Sequence, residues 1–351
     1  MTNAPQISVL LPAYNHERYI ASAVESLLSQ SIDNLEVLAV DDGSTDNTGY
    51  ILNELAKKDR RLKVFHQENR GVAAALNVAL QEASGQWIAS CGSDDIVPPN
   101  AYRILLRHSS AADVVIGEFS EITDKGRRIR VHLPFGTTCF SALFAMPAMW
   151  NKLIRREFLM TAELQFPDVL LCEDLILLAQ LAALHPRYTA VRRDVYHYRN
   201  DPTAYCSMTH QSSLAYILAH IKGRRRVAEI SAAAGMAEGL QYVYQTSLPF
   251  LADFLFTGNS TGEAVFQAMQ ELLVYGRAYI DEWLFERIFF ISASDFLKES
   301  YKSYRSRICR IPHEEFILRK FQTGGIGFQF IMQCVYGWGR YKLSCFGRTS
   351  S

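Results

Sequence analysis

This chain lacks any uncharged apolar run near the roughly 18 to 20 residues of a bilayer-spanning helix. Membrane contact is therefore expected only at its periphery. It lacks a CxxC pair as well. Its cysteines (Cys91, Cys139, Cys172, Cys206, Cys309, Cys334 and Cys345) are odd in number and scattered. That argues against a zinc knuckle and a disulfide framework, and suits a reducing compartment. There is no net charge, 36 basic residues facing 36 acidic ones, so no global field calls for a nucleic-acid partner. Residues 1–6 are too short and too polar for a signal peptide, and a cytoplasmic location is expected. No GxGxxG follows the first apolar run, which disfavours a dinucleotide Rossmann site, and the absence of GxxxxGK[ST] disfavours a P-loop.

What is present is an α/β pattern. At 351 residues the chain can fill two lobes, and 49% hydrophobic with 21% charged residues is ordinary for a folded protein. The apolar run 7–11 closes at Pro12-Ala13-Tyr14-Asn15 and reads as a buried parallel strand, with Asn15 placed to cap a helix after it. Strands are expected at 35–40, 62–65 and 87–90, with a helix over 72–83. Strand and helix alternate four times in about ninety residues, which implies a doubly wound, mostly parallel sheet. Ligands bind such sheets beyond the carboxyl ends of the strands, where Tyr14, Asp41, Arg70 and Asp94 fall.

The fourth strand runs into Cys91-Gly92-Ser93-Asp94-Asp95. Adjacent carboxylates at the exit of a buried strand are costly unless a cation meets them, and a divalent metal is the usual candidate. Asp41 can accept from a uracil imide or a ribose hydroxyl, and Arg70 can reach base or phosphate oxygens. A pyrophosphate would need a metal between itself and Asp94.

Ser8-Val9-Leu10-Leu11-Pro12-Ala13-Tyr14-Asn15, Val40-Asp41-Asp42-Gly43-Ser44-Thr45-Asp46, Asn69-Arg70-Gly71 with Asn77, and Ser93-Asp94-Asp95 stand in the order and spacing of a known family. In this the chain resembles family-2 glycosyltransferases of the GT-A fold. The resemblance implies inverting transfer from a nucleotide sugar, usually a UDP-sugar, assisted by Mn²⁺ or Mg²⁺ at Asp94. It also implies donor contacts from Pro12, Ala13, Tyr14, Asn15, Asp41, Asp42, Arg70, Asn77, Ser93, Asp94 and Asp95. Further on, Trp150-Asn151-Lys152-Leu153-Ile154-Arg155-Arg156 resembles the family's Trp-x-Lys-Leu stretch and adds Trp150 and Lys152 to that set. Glu173-Asp174 resembles its acidic pair, in which Asp174 is the expected general base. Asp194-Val195-Tyr196-His197-Tyr198-Arg199 resembles its closing Tyr-x-Tyr-Arg motif, with Arg199 on the β-phosphate and His197 as a second metal ligand. One departure stands out: Gly92 occupies the first position of the family's usual Asp-x-Asp-Asp.

The expected organisation is a GT-A domain over 1–210 and a mainly helical region over 211–351. The first of these has a nucleotide half, 1–100, and an acceptor half, 101–210. Helices are expected over 98–107, 175–184, 214–221, 225–234, 239–256, 264–275 and 279–291. Residues 298–351 carry ten Lys/Arg against three Asp/Glu, interleaved with aromatics, and suit a lipid headgroup interface or a homo-oligomer contact. The setting the resemblance implies is bacterial surface polysaccharide or lipopolysaccharide assembly, with a saccharide or lipid-linked acceptor. Two alternatives stay open. One is a non-catalytic nucleotide-sugar-binding scaffold, suggested by Gly92. The other is a nucleotidyltransferase, disfavoured by the missing Gly-rich loop.

Overall fold

A computed structural model describes residues 4–123, 126, 128–200, 214–244, 262–274, 293–300 and 302–304. The chain divides into two units, Met1–His210 and Gln211–Ser351. In the first, β1 (Ile7–Ala13) and β2 (Leu35–Asp42) are apolar runs buried on both sides, as central parallel strands must be. They pair with each other in parallel, β3 (Leu62–Gln67) joins β2, and β4 (Trp87–Ser90) joins β1. The helices α1 (Ile20–Leu28), α2 (Thr48–Ala56) and α3 (Val72–Glu82) make the connections. In α1 the buried residues Ile20, Ala23, Val24 and Leu27 follow the helical repeat.

The second half of this unit adds α4 (Ala101–Arg107), β5 (Val114–Thr123), β6 (Arg128–Val131), α5 (Cys139–Phe144) and β7 (Lys152–Arg155). Then come α6 (Arg156–Thr161), α7 (Glu173–Ala183) and β8 (Tyr188–Asn200). The sheet has eight strands in the order β3-β2-β1-β4-β7-β5-β6, with β8 alongside β5. Here the pairing turns mixed: β7 runs antiparallel to β4 and β5, β6 antiparallel to β5, and β8 parallel to β5.

Pro12 in a central strand calls for a reason, since it cannot donate to a ladder. The β1–β4 ladder ends at Leu10 opposite Ser90, so Pro12 lies beyond β4 and is paired only with Val40 of β2. Past that point the sheet opens between β1 and β4. This is where the strand order reverses, the switch point that provides a ligand crevice in α/β sheets.

The helix expected over 98–107 starts only at Ala101, after Asn100. In the second unit the helices expected over 214–221 and 225–234 are one, α8 (Leu214–Ala233). Gly223 and Arg224 lie on its buried face, so packing carries the helix through the glycine. Residues 237–244 are helical, and α8 packs against α9 (Gly262–Val274). Phe266 of α9 meets Phe296 of α10 (Ala293–Phe296) and Tyr304 at ring-centroid distances of 4.4 and 5.2 Å. The helix expected over 279–291 and nearly all of the basic-aromatic tail lie outside the described residues. Among the described residues no helix is long and apolar enough to cross a membrane.

Candidate functional site

The loop after β1 ties the crevice together. Asn15 takes a left-handed conformation, φ 53°, and does not cap α1, whose first turn follows Tyr19 without a side-chain cap. Its Oδ1 instead accepts from the Thr45 N–H at 2.8 Å, and its own N–H donates to Ser44 Oγ at 3.0 Å. The His16 N–H donates to Thr48 Oγ1 at 2.8 Å, while its ring Nδ1 lies 2.5 Å from Ser93 Oγ. Strand β1 thus reaches the loop after β2 on one side and the acidic loop after β4 on the other. Tyr14 is 40% exposed at this lip, whereas Ala13 is buried within the sheet.

Asp41 and Asp42 are consecutive strand residues and point to opposite faces. Asp41 accepts from the Ser44 N–H at 3.1 Å and pairs with His66 Nδ1 at 3.0 Å. Asp42 accepts from Gln67 Nε2 and from the backbone N–H groups of Arg70 and Gly71, at 2.6, 2.8 and 2.9 Å. Asp42 is buried, and these three donors engage both of its oxygens. It holds the turn that presents Arg70, whose side chain is exposed and makes no hydrogen bond among the described residues. Asn77 is likewise spent: its amide donates to Phe166 O at 2.8 Å and accepts from Phe166 N at 2.9 Å. It clamps the 166 loop to α3.

The acidic loop divides its labour. Asp95 is buried, accepting from the Tyr196 hydroxyl and from the Arg199 N–H, each at 2.6 Å. Burial, reinforced by the neighbouring Asp94 charge, pushes its carboxyl well above the usual range. Asp95 is thus structural, anchoring β8 to the loop. The Asp94 carboxylate accepts no hydrogen bond among the described residues, and its backbone carbonyl receives Arg199 Nε at 2.7 Å. The Arg199 guanidinium continues over the Tyr19 ring, 4.8 Å from its centroid. Gly92 has a spatial reason: a Cβ there would lie 2.7 Å from Asp95 Oδ2 and 3.0 Å from Asp94 Oδ1.

His197 is not with Asp94's carboxylate. Its Nε2 faces Asp194 Oδ2 and Arg128 Nη1, both at 3.3 Å, and a guanidinium beside that nitrogen opposes a metal there. Among the described residues no three His, Cys, Asp or Glu side chains converge on one point. The donor set that remains, one uncommitted carboxylate at Asp94, fits a divalent ion that takes its other ligands from substrate phosphates and water.

The acceptor-half acids sit at the start of α7, whose N-cap, Cys172, is left-handed at φ 72°. Asp174 Oδ2 accepts from the Met149 N–H at 3.0 Å. Burial raises the affinity of both Glu173 and Asp174 for protons, and the Asp174 charge raises that of Glu173 further. Trp150 stacks on Tyr196 at 4.4 Å and lies near Tyr198 at 5.9 Å. A continuous run therefore links Asp174 through Met149, Trp150 and Tyr196 to Asp95 and the acidic loop. Lys152 does not face the crevice. It is 1% exposed and donates to Met146 O, Ala148 O and Asn151 Oδ1 at 2.7, 2.6 and 2.7 Å. His16, Tyr19, His66 and Thr48 are site-building residues that motif spacing did not single out, because their partners are distant in sequence.

A half-parallel sheet open at β1/β4, with an acidic loop at its lip and a mixed half beside it, is the GT-A architecture. Residues 8–167 match the family model described as Glycosyl transferase family 2. The putative glycosyltransferase EpsH of Bacillus subtilis strain 168 is 34% identical over 209 residues, 56% of this chain and 61% of its own length. Glycosyltransferase GlyG of Streptococcus pneumoniae serotype 4 is 44% identical over 116 residues, 32% of this chain and 38% of its own. The chain thus spans less than two thirds of either relative. A crystal structure of S. aureus TarS 1–349 in complex with UDP-GlcNAc superposes with a TM-score of 0.68 at 20% identity, covering 87% of this chain and 92% of that one. At that identity the likeness concerns the fold.

Proposed function

We propose that the chain transfers a sugar from a UDP-sugar to a saccharide or lipid-linked acceptor in surface-polysaccharide assembly, with inversion at the anomeric carbon. One observation carries the reading: the Asp94 carboxylate, which accepts no hydrogen bond among the described residues, sits in the β1/β4 crevice beside Arg199, Ser93 and the Tyr14–His16 loop. Support for the donor class comes from the family and from the UDP-GlcNAc complex of TarS.

In this reading Asp41 and Arg70 take the nucleoside and Arg199 the diphosphate, where a guanidinium fits phosphate oxygens. Asp94 would hold a Mn²⁺ or Mg²⁺ ion, which when bound supplies charge to the departing diphosphate. Asp174 accepts the proton of the attacking acceptor hydroxyl. The new bond forms from that oxygen to the anomeric carbon as the bond to the diphosphate breaks, its electron pair leaving with UDP.

The test is UDP release from a panel of UDP-sugars with Mn²⁺, in the wild type and in Asp174→Asn. We expect at least ~100-fold slower release with UDP binding retained, as befits loss of a general base. Equal release rates in the two proteins would remove Asp174 from the chemistry.

A further inference from the structure

Lys152 presents an unusual arrangement: a buried ammonium with no carboxylate in hydrogen-bond contact, its Nζ enclosed by three oxygens at 2.6 to 2.7 Å. Two are backbone carbonyls and the third is the Asn151 side-chain oxygen, whose amide nitrogen donates to Gly117 O at 2.7 Å. Acceptors on three sides require three protons, and a neutral amine would turn its lone pair on one of them. The geometry therefore favours the charge, although burial, only partly offset by the Asp174 charge, pulls the group down to about 7. The same short loop, residues 146–151, directs the Met149 N–H onto Asp174 Oδ2. Lys152 fastens that loop through its carbonyls, and Asp174 accepts one of its N–H groups.

The geometry points to Lys152 as a positioning residue for Asp174: its buried charge keeps that carboxylate ionised, and its hydrogen bonds fix the loop that aims the Met149 N–H. This deepens the reading of Asp174 as base and rests on it. Among the described residues the charged and titratable groups around Asp174 are few. Burial opposes its ionisation, while the Met149 N–H and then Lys152 on β7 favour it. Glu173 on the same helix is itself pushed up to about 8 and so is neutral where Asp174 titrates. The helix α5, packed against α7, contributes only the Cys139 thiol, which burial pushes up to about 11 and so keeps neutral. Among the described residues Lys152 is thus the cation that, with the Met149 N–H, offsets the burial of Asp174.

The decisive measurement needs no substrate. In the full chain carrying ¹³C-labelled aspartate, the Asp174 carboxyl signal is identified by its loss in Asp174→Asn and followed against pH. Lys152→Met should move its midpoint upward by at least one pH unit, and Lys152→Arg, which keeps the charge, should leave it near the wild-type value. In UDP release from UDP-GlcNAc with Mn²⁺, the acidic limb should move by the same amount, about tenfold in rate one unit below the wild-type midpoint. An unmoved carboxyl midpoint in Lys152→Met overturns the proposal, even if Asp174→Asn abolishes turnover. A moved midpoint with undiminished turnover in Asp174→Asn overturns only the base assignment. Should Lys152→Met fail to fold, the wild-type ¹⁵Nζ signal decides. An ammonium at pH 7 sustains the proposal and a neutral amine there ends it.

Discussion

Gly92 is the position where this chain departs from the acidic motif of the family it resembles, and its surroundings predict the result of a substitution. The Cβ of Gly92→Ala would lie 2.7 Å from Asp95 Oδ2, closer than carbon and oxygen tolerate. Asp95 has little room to yield. Its Oδ2 is held by the Tyr196 hydroxyl at 2.6 Å and its Oδ1 by the Arg199 N–H at 2.6 Å. The same hydroxyl receives the Gly92 N–H at 2.9 Å, so displacing Asp95 loosens a three-membered knot. Losing one buried hydrogen bond to a carboxyl group costs about 1.5–3 kcal/mol. Removing glycine's freedom in the unfolded chain returns about 0.4–1 kcal/mol. A net loss of roughly 1–2 kcal/mol is expected, read as a lower urea midpoint by tryptophan fluorescence. A double-mutant cycle with Tyr196→Phe checks the cause. If Gly92→Ala acts by breaking the Tyr196–Asp95 bond, its cost should shrink by at least ~1 kcal/mol once that bond is gone. Additivity within about 0.5 kcal/mol would refute the steric account. Gly92→Asp, which restores the family's acid, should be worse than Ala at pH 8 and approach it at pH 4, because a third carboxylate then faces Asp94 and Asp95. A Gly92→Asp protein as stable as wild type at pH 8 would equally overturn the reasoning.

Glu173→Gln should raise stability at neutral pH. The folded chain holds this proton more tightly than the unfolded chain, so stability falls as pH rises from about 4 through the folded value of about 8. The gain should be present at pH 8 and absent at pH 4 in urea titrations, and a gain equal at both would contradict the burial argument. Asn77→Ala removes both hydrogen bonds to Phe166 and should cost about 1–2 kcal/mol while leaving UDP affinity within twofold by calorimetry. A tenfold affinity loss with unchanged stability would instead put Asn77 in the donor site.

The sequence by itself determined the alternating α/β core and the edge on which the site lies. Continuous apolar runs such as Val9 to Leu11 and Leu38 to Val40 suit only strands buried on both faces, and parallel strands place their exits together. Motif order likewise brought Tyr14, Asp41, Arg70, Asp94 and Arg199 to that edge. What spacing could not decide was which polar atoms are already engaged. Asp42, Asn77, Asp95 and Lys152 have the residue types of ligand-binding groups, yet the first three are occupied by partners far along the chain and Lys152 by oxygens of the turn just before it. Asp95 and Tyr196 stand 101 residues apart and Asn77 and Phe166 stand 89 apart. Asp41 and Asp42 differ by one position in sequence and by a face of the sheet in space. A buried polar group must be satisfied, and only the tertiary structure determines whether a neighbour in the fold or a bound ligand satisfies it.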